Sequence, residues 1–111
     1  YRKMMSIVVK TTSGEYILYS KGADSSLLPL TKFSSQKEND EIIETINKFA
    51  TRGFRTMVFG RRVLTRNEYL SFKSAMEELQ HISSTEGLNK VFARIEKNLE
   101  FLGSTCVIDE L

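Results

Sequence analysis

No apolar run in this 111-residue chain approaches the ~20 residues that a membrane helix needs, and its first residues carry no signal-peptide pattern. There is one cysteine, Cys106, so no internal disulfide can form, which suits a reducing compartment. There is one histidine, His81. A zinc site or a nucleophile–histidine–acid triad would need partners that the chain lacks. His81 is expected near a helix C-terminus, where a partial positive charge is favourable, and Cys106 as a small strand residue. Neither a Walker loop nor a Gly-x-Gly-x-x-Gly phosphate cradle occurs. Charge of one sign is not in excess. With 16 basic and 14 acidic side chains the net charge is +2, which argues against nucleic acid as a partner, since that needs a basic stripe. Internal repeats and low-complexity tracts are absent.

What is present reads as one globular, soluble domain with room for a modest core: 41% of residues are hydrophobic and 27% charged. Met4 to Thr11 has strand composition, with Met5, Ile7 and Val9 on one face at period two. Thr12 to Glu15 is a turn, and Tyr16 to Ser20 returns as a second strand, so the two predict an antiparallel hairpin. A Lys-Gly-Ala corner follows, and Asp24 is placed to cap a helix that Pro29 keeps short. Thr31 to Asp40 reads as a polar loop. Ile42, Ile43, Ile46, Phe49 and Ala50 have helical spacing, with Asn39 or Asp40 as cap and Gly53 at the position just past the C-cap.

Phe54 to Leu64 alternates as a strand. Phe54, Thr56 and Val58 face one way; Arg55, Met57 and Phe59 face the other. Thr65 to Glu68 is a capping box that opens a helix carrying Tyr69, Phe72, Met76 and Leu79 inward. Leu88, Val91, Phe92, Ile95 and Leu99 predict one more helix, and Glu100 to Ile108 a last strand. The fold class expected is α+β, a mostly antiparallel sheet flanked by helices. Both ends of the chain read as mid-element, so it is expected to be a piece of something larger.

The chemistry-bearing residues left are cations beside strands: Arg2 and Lys3 before the first, Lys21 after the second, Arg55 inside the third. Gly22 would let a ligand approach backbone without a Cβ in the way. Arg55 and Met57 share a strand face, so one can reach phosphate while the other packs on an apolar ring. Spacing alone leaves two readings open: solvated or edge-blunting cations, or one pocket for an anionic ligand.

The blocks "RKMMSIVV", "YSKGADSSL", "FATRGFRTMVFGRRVL", "LTRNEYLSF" and "IEKNLEFLGSTCVIDEL" occur in that order over nearly the whole chain. Together they resemble the nucleotide-binding domain of P-type ATPases, in the type-IV, phospholipid-flippase branch. Lys-Gly-Ala is shared by many P-type pumps; its continuation to Asp24, the "FATRGFRTM" block and "LTRNEY" are more specific to flippases. The resemblance implies that Lys3 lies beside bound nucleotide and that Lys21 and Gly22 form the floor of the adenosine pocket. It implies that Arg55 contacts phosphates or ribose and that Met57 makes an apolar contact to adenine. The family's stacking phenylalanine and its acidic nucleotide contact would precede Tyr1. Met4 stands where flippases usually carry a basic residue. Asp109 and Leu111 match the family's terminal segment, while Ile108 and Glu110 do not.

The resemblance implies that residues 1–104 are the C-terminal part of the nucleotide-binding domain and 105–111 the start of the junction to the phosphorylation domain. The implied ligand is ATP, with Mg2+ in the parent enzyme and no metal ligand in this piece. The implied partners are the phosphorylation and actuator domains of a parent chain, with no direct membrane contact. The setting is the cytosolic side of an integral membrane protein. No Asp-Lys-Thr-Gly motif is present, so these residues cannot form the aspartyl-phosphate. Two other readings are the same domain of a cation pump, and a same-fold interaction module that binds no nucleotide.

Overall fold

A computed structural model describes residues 3–80, 82 and 84–108. The sequence expectations for Arg2, His81, Asp109, Glu110 and Leu111 lie outside the described residues. The architecture is α+β. Strands β1 (Met4–Lys10), β2 (Tyr16–Ala23), β4 (Arg55–Leu64) and β5 (Leu99–Val107) form an antiparallel sheet. The two-residue β3 (Thr31–Lys32) joins its far edge in parallel, for an order β1-β2-β4-β5-β3. The helices are α1 (Asp24–Leu27), α2 (Gln36–Thr51), α3 (Arg66–Glu78) and α4 (Thr85–Ala93). None is long and apolar enough to cross a membrane.

One core joins sheet and helices. Leu18 and Val58 from the sheet meet Leu27 of α1 and Ile46 of α2, with Leu64, Ile95 and Leu99 completing the buried cluster. Phe72 of α3 and Phe92 of α4 pack against it edge to face, their ring centroids 5.1 Å apart. The capping box of α3 is present: the Thr65 hydroxyl accepts from Glu68 N, and the Glu68 carboxylate accepts from Thr65 N. Gly53 follows the C-cap residue Arg52, as its spacing predicted.

Several boundaries differ from the sequence expectation. β2 does not stop at Ser20 but runs through Lys21 and Gly22 to Ala23, because β1 and β4 pair with it on both sides. The N-cap of α1 is Ala23, and Asp24 is the first helical residue. Its carboxylate accepts from Ser25 N (2.7 Å) and from the Thr56 hydroxyl (3.4 Å), tying α1 to β4. The stretch expected as a loop holds β3 and the first turn of α2. That helix is capped by Ser35, which accepts from Glu38 N, and not by Asn39 or Asp40. The last helix ends at Ala93; Asn98 turns the chain with a positive φ of 52°, so Leu99 belongs to β5.

Candidate functional site

Pairing register decides which side chains share a face of the sheet. In β2, Leu18, Ser20 and Gly22 alternate with Tyr19, Lys21 and Ala23. Leu18 lies in the core beneath the helices, so Lys21 points to the opposite face. Lys21 is opposite Phe59 and Ala23 is opposite Met57. Arg55, Met57 and Phe59 therefore stand on the same face as Lys21. Lys21 and Arg55 are roughly 14 Å apart at their Cα atoms, from strand rise and spacing. Lys3 immediately precedes β1, its carbonyl accepting from Ala23 N at 3.0 Å.

A concavity of about 290 Å³ opens on this face. Its walls are Met5 and Ile7 of β1, Tyr19 and Lys21 of β2, Phe59 of β4 and Leu102 of β5. Among the described residues, Lys21 is the one charged residue that lines it, and no ion pair engages it. The neighbouring arginines are committed elsewhere. Arg61 donates to Glu100 at 3.1 Å, and that hydrogen bond and charge, with a smaller contribution from Tyr19, raise its already high pKa. Arg62 donates to Glu68 at 2.7 Å and to the Ile95 carbonyl. Lys21 is thus a cation at the rim of an apolar hollow, an arrangement suited to a ligand with a planar apolar ring and an anionic tail.

Of the sequence candidates, Lys21 lines the concavity. Arg55 and Met57 share its face but sit farther along β4, and Lys3, two residues before Met5, does not line it. The expectation that Gly22 leaves room for a ligand does not hold. Gly22 is buried and turned to the helix side, where a Cβ would lie 2.6 Å from Met4 Cβ and 2.7 Å from the Lys3 carbonyl oxygen. The absent side chain is what lets β1 approach β2. Tyr19, Phe59, Ile7 and Leu102 were not singled out as site residues. Period-two alternation around Lys21 and Met57 carries the signal for Tyr19 and Phe59, and a glycine inside the β5 run carries the signal for Leu102. Among the described residues no group of three His, Cys, Asp or Glu side chains could hold a metal ion.

Beneath the same strands, on the helix side, Ser6 and Ser20 hydroxyls lie 2.6 Å apart and Ser6 donates to the buried Glu96 carboxylate. This satisfies polar groups that would otherwise be costly to bury, and it locks β1 to β2 directly behind Lys21.

Comparison with known proteins bears on what such a sheet belongs to. Residues 1–111 match the family model described as P-type ATPase, cytoplasmic domain N. The chain is similar to a probable phospholipid-transporting ATPase of Arabidopsis thaliana, 34% identical over 99% of this chain and 10% of the relative. It is similar to a phospholipid-transporting ATPase of Schizosaccharomyces pombe, 35% identical over 99% of this chain and 8% of the relative. A human phospholipid-transporting ATPase is 30% identical over 99% of this chain and 9% of the relative. The chain spans about a tenth of the length of these relatives. With the match covering the whole sequence, and an α+β sheet that presents Lys21 and Arg55 on one face, the chain belongs to the P-type ATPase cytoplasmic domain N family, among homologues that are phospholipid-transporting ATPases.

Proposed function

We propose that this chain is the ATP-holding portion of a phospholipid-translocating P-type ATPase. In the parent enzyme it presents ATP to a phosphorylation domain, which residues 105–111 lead toward. The observation that carries the reading is Lys21 at the rim of the apolar concavity, on the same sheet face as Arg55 and Met57. In this reading the base rests in the hollow, Lys21 supplies a point charge, and the triphosphate runs along β4 toward Arg55, whose planar fork suits phosphate. Lys3 borders the path, and Met57 covers the apolar side of the sugar and base. The separation of Lys21 from Arg55 is on the scale of an extended nucleotide. Mg2+ would travel with the phosphates and neutralise them; phosphoryl transfer in such enzymes is achieved by positioning and electrostatics. The phosphorylation and actuator domains of the parent would be its partners, on the cytosolic side of the membrane.

Binding to this chain alone should be weak, in the high-micromolar to millimolar range, about −4 to −6 kcal/mol. Exposed cations in water attract only modestly and are screened over ~8 Å at physiological salt. The test is titration of ATP and AMP followed by amide shifts of Lys21 and Arg55. Lys21→Ala should weaken both nucleotides, and Arg55→Ala should weaken ATP more than AMP. The exposed apolar residues on this face, Met5, Ile7 and Leu102, would also suit an interaction module. That second reading takes over if neither nucleotide perturbs the chain while the fold is intact.

A further inference from the structure

β4 and β5 lose register between Phe59 and Gly60. Phe59 pairs with Gly103 and Gly60 with Phe101, so Leu102 has no partner of its own. Such a bulge sets two residues against one and re-aims a side chain. Gly103 supplies the backbone for it, with φ of 155°, where L side chains rarely sit. Phe101 packs on the core, while Leu102, next along and turned to the other face, stands half exposed in the wall of the concavity beside Lys21. Across the hollow, Tyr19 pairs in register with Arg61, which Glu100 anchors. One wall thereby stands beside the Arg61–Glu100 ion pair and the other at a bulge.

The volume, about 290 Å³, is at the bottom of the range for ligand pockets, which starts near ~300 Å³. It suits a planar ring and not a whole nucleotide. Resting on the nucleotide reading above, we infer that Leu102 is a positioning residue: it forms the end wall of the base site. It stops the ring from sliding along the sheet away from Lys21, and so fixes how far the phosphates reach toward Arg55.

The test compares ATP with inorganic tripolyphosphate, which has the charge but no ring, on this chain and on Leu102→Trp and Leu102→Ala, each checked by thermal melting. Leu102→Trp fills the hollow and should weaken ATP about tenfold or more, leaving tripolyphosphate unchanged. Leu102→Ala should weaken ATP about threefold, as expected for partial loss of an apolar wall. A role confined to folding would weaken both probes alike and overturns the inference. If ATP binds the unsubstituted chain and Lys21→Ala loses it while both Leu102 variants bind as before, the nucleotide reading stands and the end-wall inference is overturned. If the unsubstituted chain binds neither probe, the nucleotide reading itself fails and takes the inference with it. Should the tryptophan variant lose its fold, unchanged ATP affinity in the alanine variant alone overturns the inference.

Discussion

The two faces of the sheet are both apolar, yet only one is covered. On the helix side Leu18 and Val58 are fully buried; on the other, Met5 and Ile7 are 62% and 55% exposed. Ser6, Ser20 and Glu96 lie on the covered side and bond to one another, while the exposed side sets Met5, Ile7 and Phe59 among Arg55, the Arg61–Glu100 pair and Lys21, which has no ion pair among the described residues. Burial thus tracks where helices land, and the uncovered apolar face is where a ligand or partner has something to bury. Two neighbours in one strand, Lys21 and Gly22, serve these two faces separately.

That division can be broken by substitution. The largest effect is expected at Gly22. Gly22→Val forces atoms into the Met4 backbone and the Lys3 carbonyl, and should cost about 3 kcal/mol or more, as overpacking against backbone does. Denaturant melts would read it. Loss of ligand binding without loss of stability would instead assign Gly22 to the exposed face.

A middling effect belongs to Glu68. The Thr65 backbone N–H, with Arg62, holds its carboxyl below the usual range. Its ionised form therefore favours the folded state. The stability it contributes is complete above the ordinary carboxylate value of about 4.3 and is lost as pH falls through its lower folded value. Glu68→Ala should cost about 1–2 kcal/mol at neutral pH and flatten the acid side of a stability–pH profile. An unchanged profile would remove the capping box and its Arg62 partner from the list of stabilising features.

The smallest effect on stability is expected at Lys21. Lys21→Ala should move the melting midpoint by no more than about 0.5 kcal/mol equivalent while abolishing most nucleotide-induced amide shifts. A large destabilisation with no change in binding would collapse the distinction between the faces.

Much of this was legible in residue spacing. The switches between period two and period 3.6 located four of the strands and the two long helices, and Thr65-x-x-Glu68 marked its helix start. Arg55 and Met57 sharing a face followed from parity. What spacing concealed has physical causes. Met5, Ile7 and Val9 do share a face in β1, but it is the uncovered one; Met4 and Val8 pack inward alongside Ser6, whose hydroxyl finds partners only in the folded sheet. Ser35, with Glu38 three residues on, carries the signature of a helix start, hidden in a run of polar residues. Leu99 has helical spacing from Ile95, but Asn98 breaks the turn and pairing with Thr31 claims it. A bulge depends on register between strands far apart in sequence, so Leu102 had only its glycine neighbour to mark it.

The edge formed by β3 has a kinetic consequence. Thr31 pairs with Leu99, roughly seventy residues later, whereas β1 and β2 meet across a short turn. Closing the longer loop costs on the order of 1–2 kcal/mol more in chain entropy, and β3 offers only two residues of ladder in return. The hairpin should assemble early and the parallel edge last. In native-state hydrogen exchange, amides of Thr31 and Lys32 should then open well below the free energy that releases Leu18, so the sheet would fray from the edge far from Lys21 while the strands around that lysine stay closed.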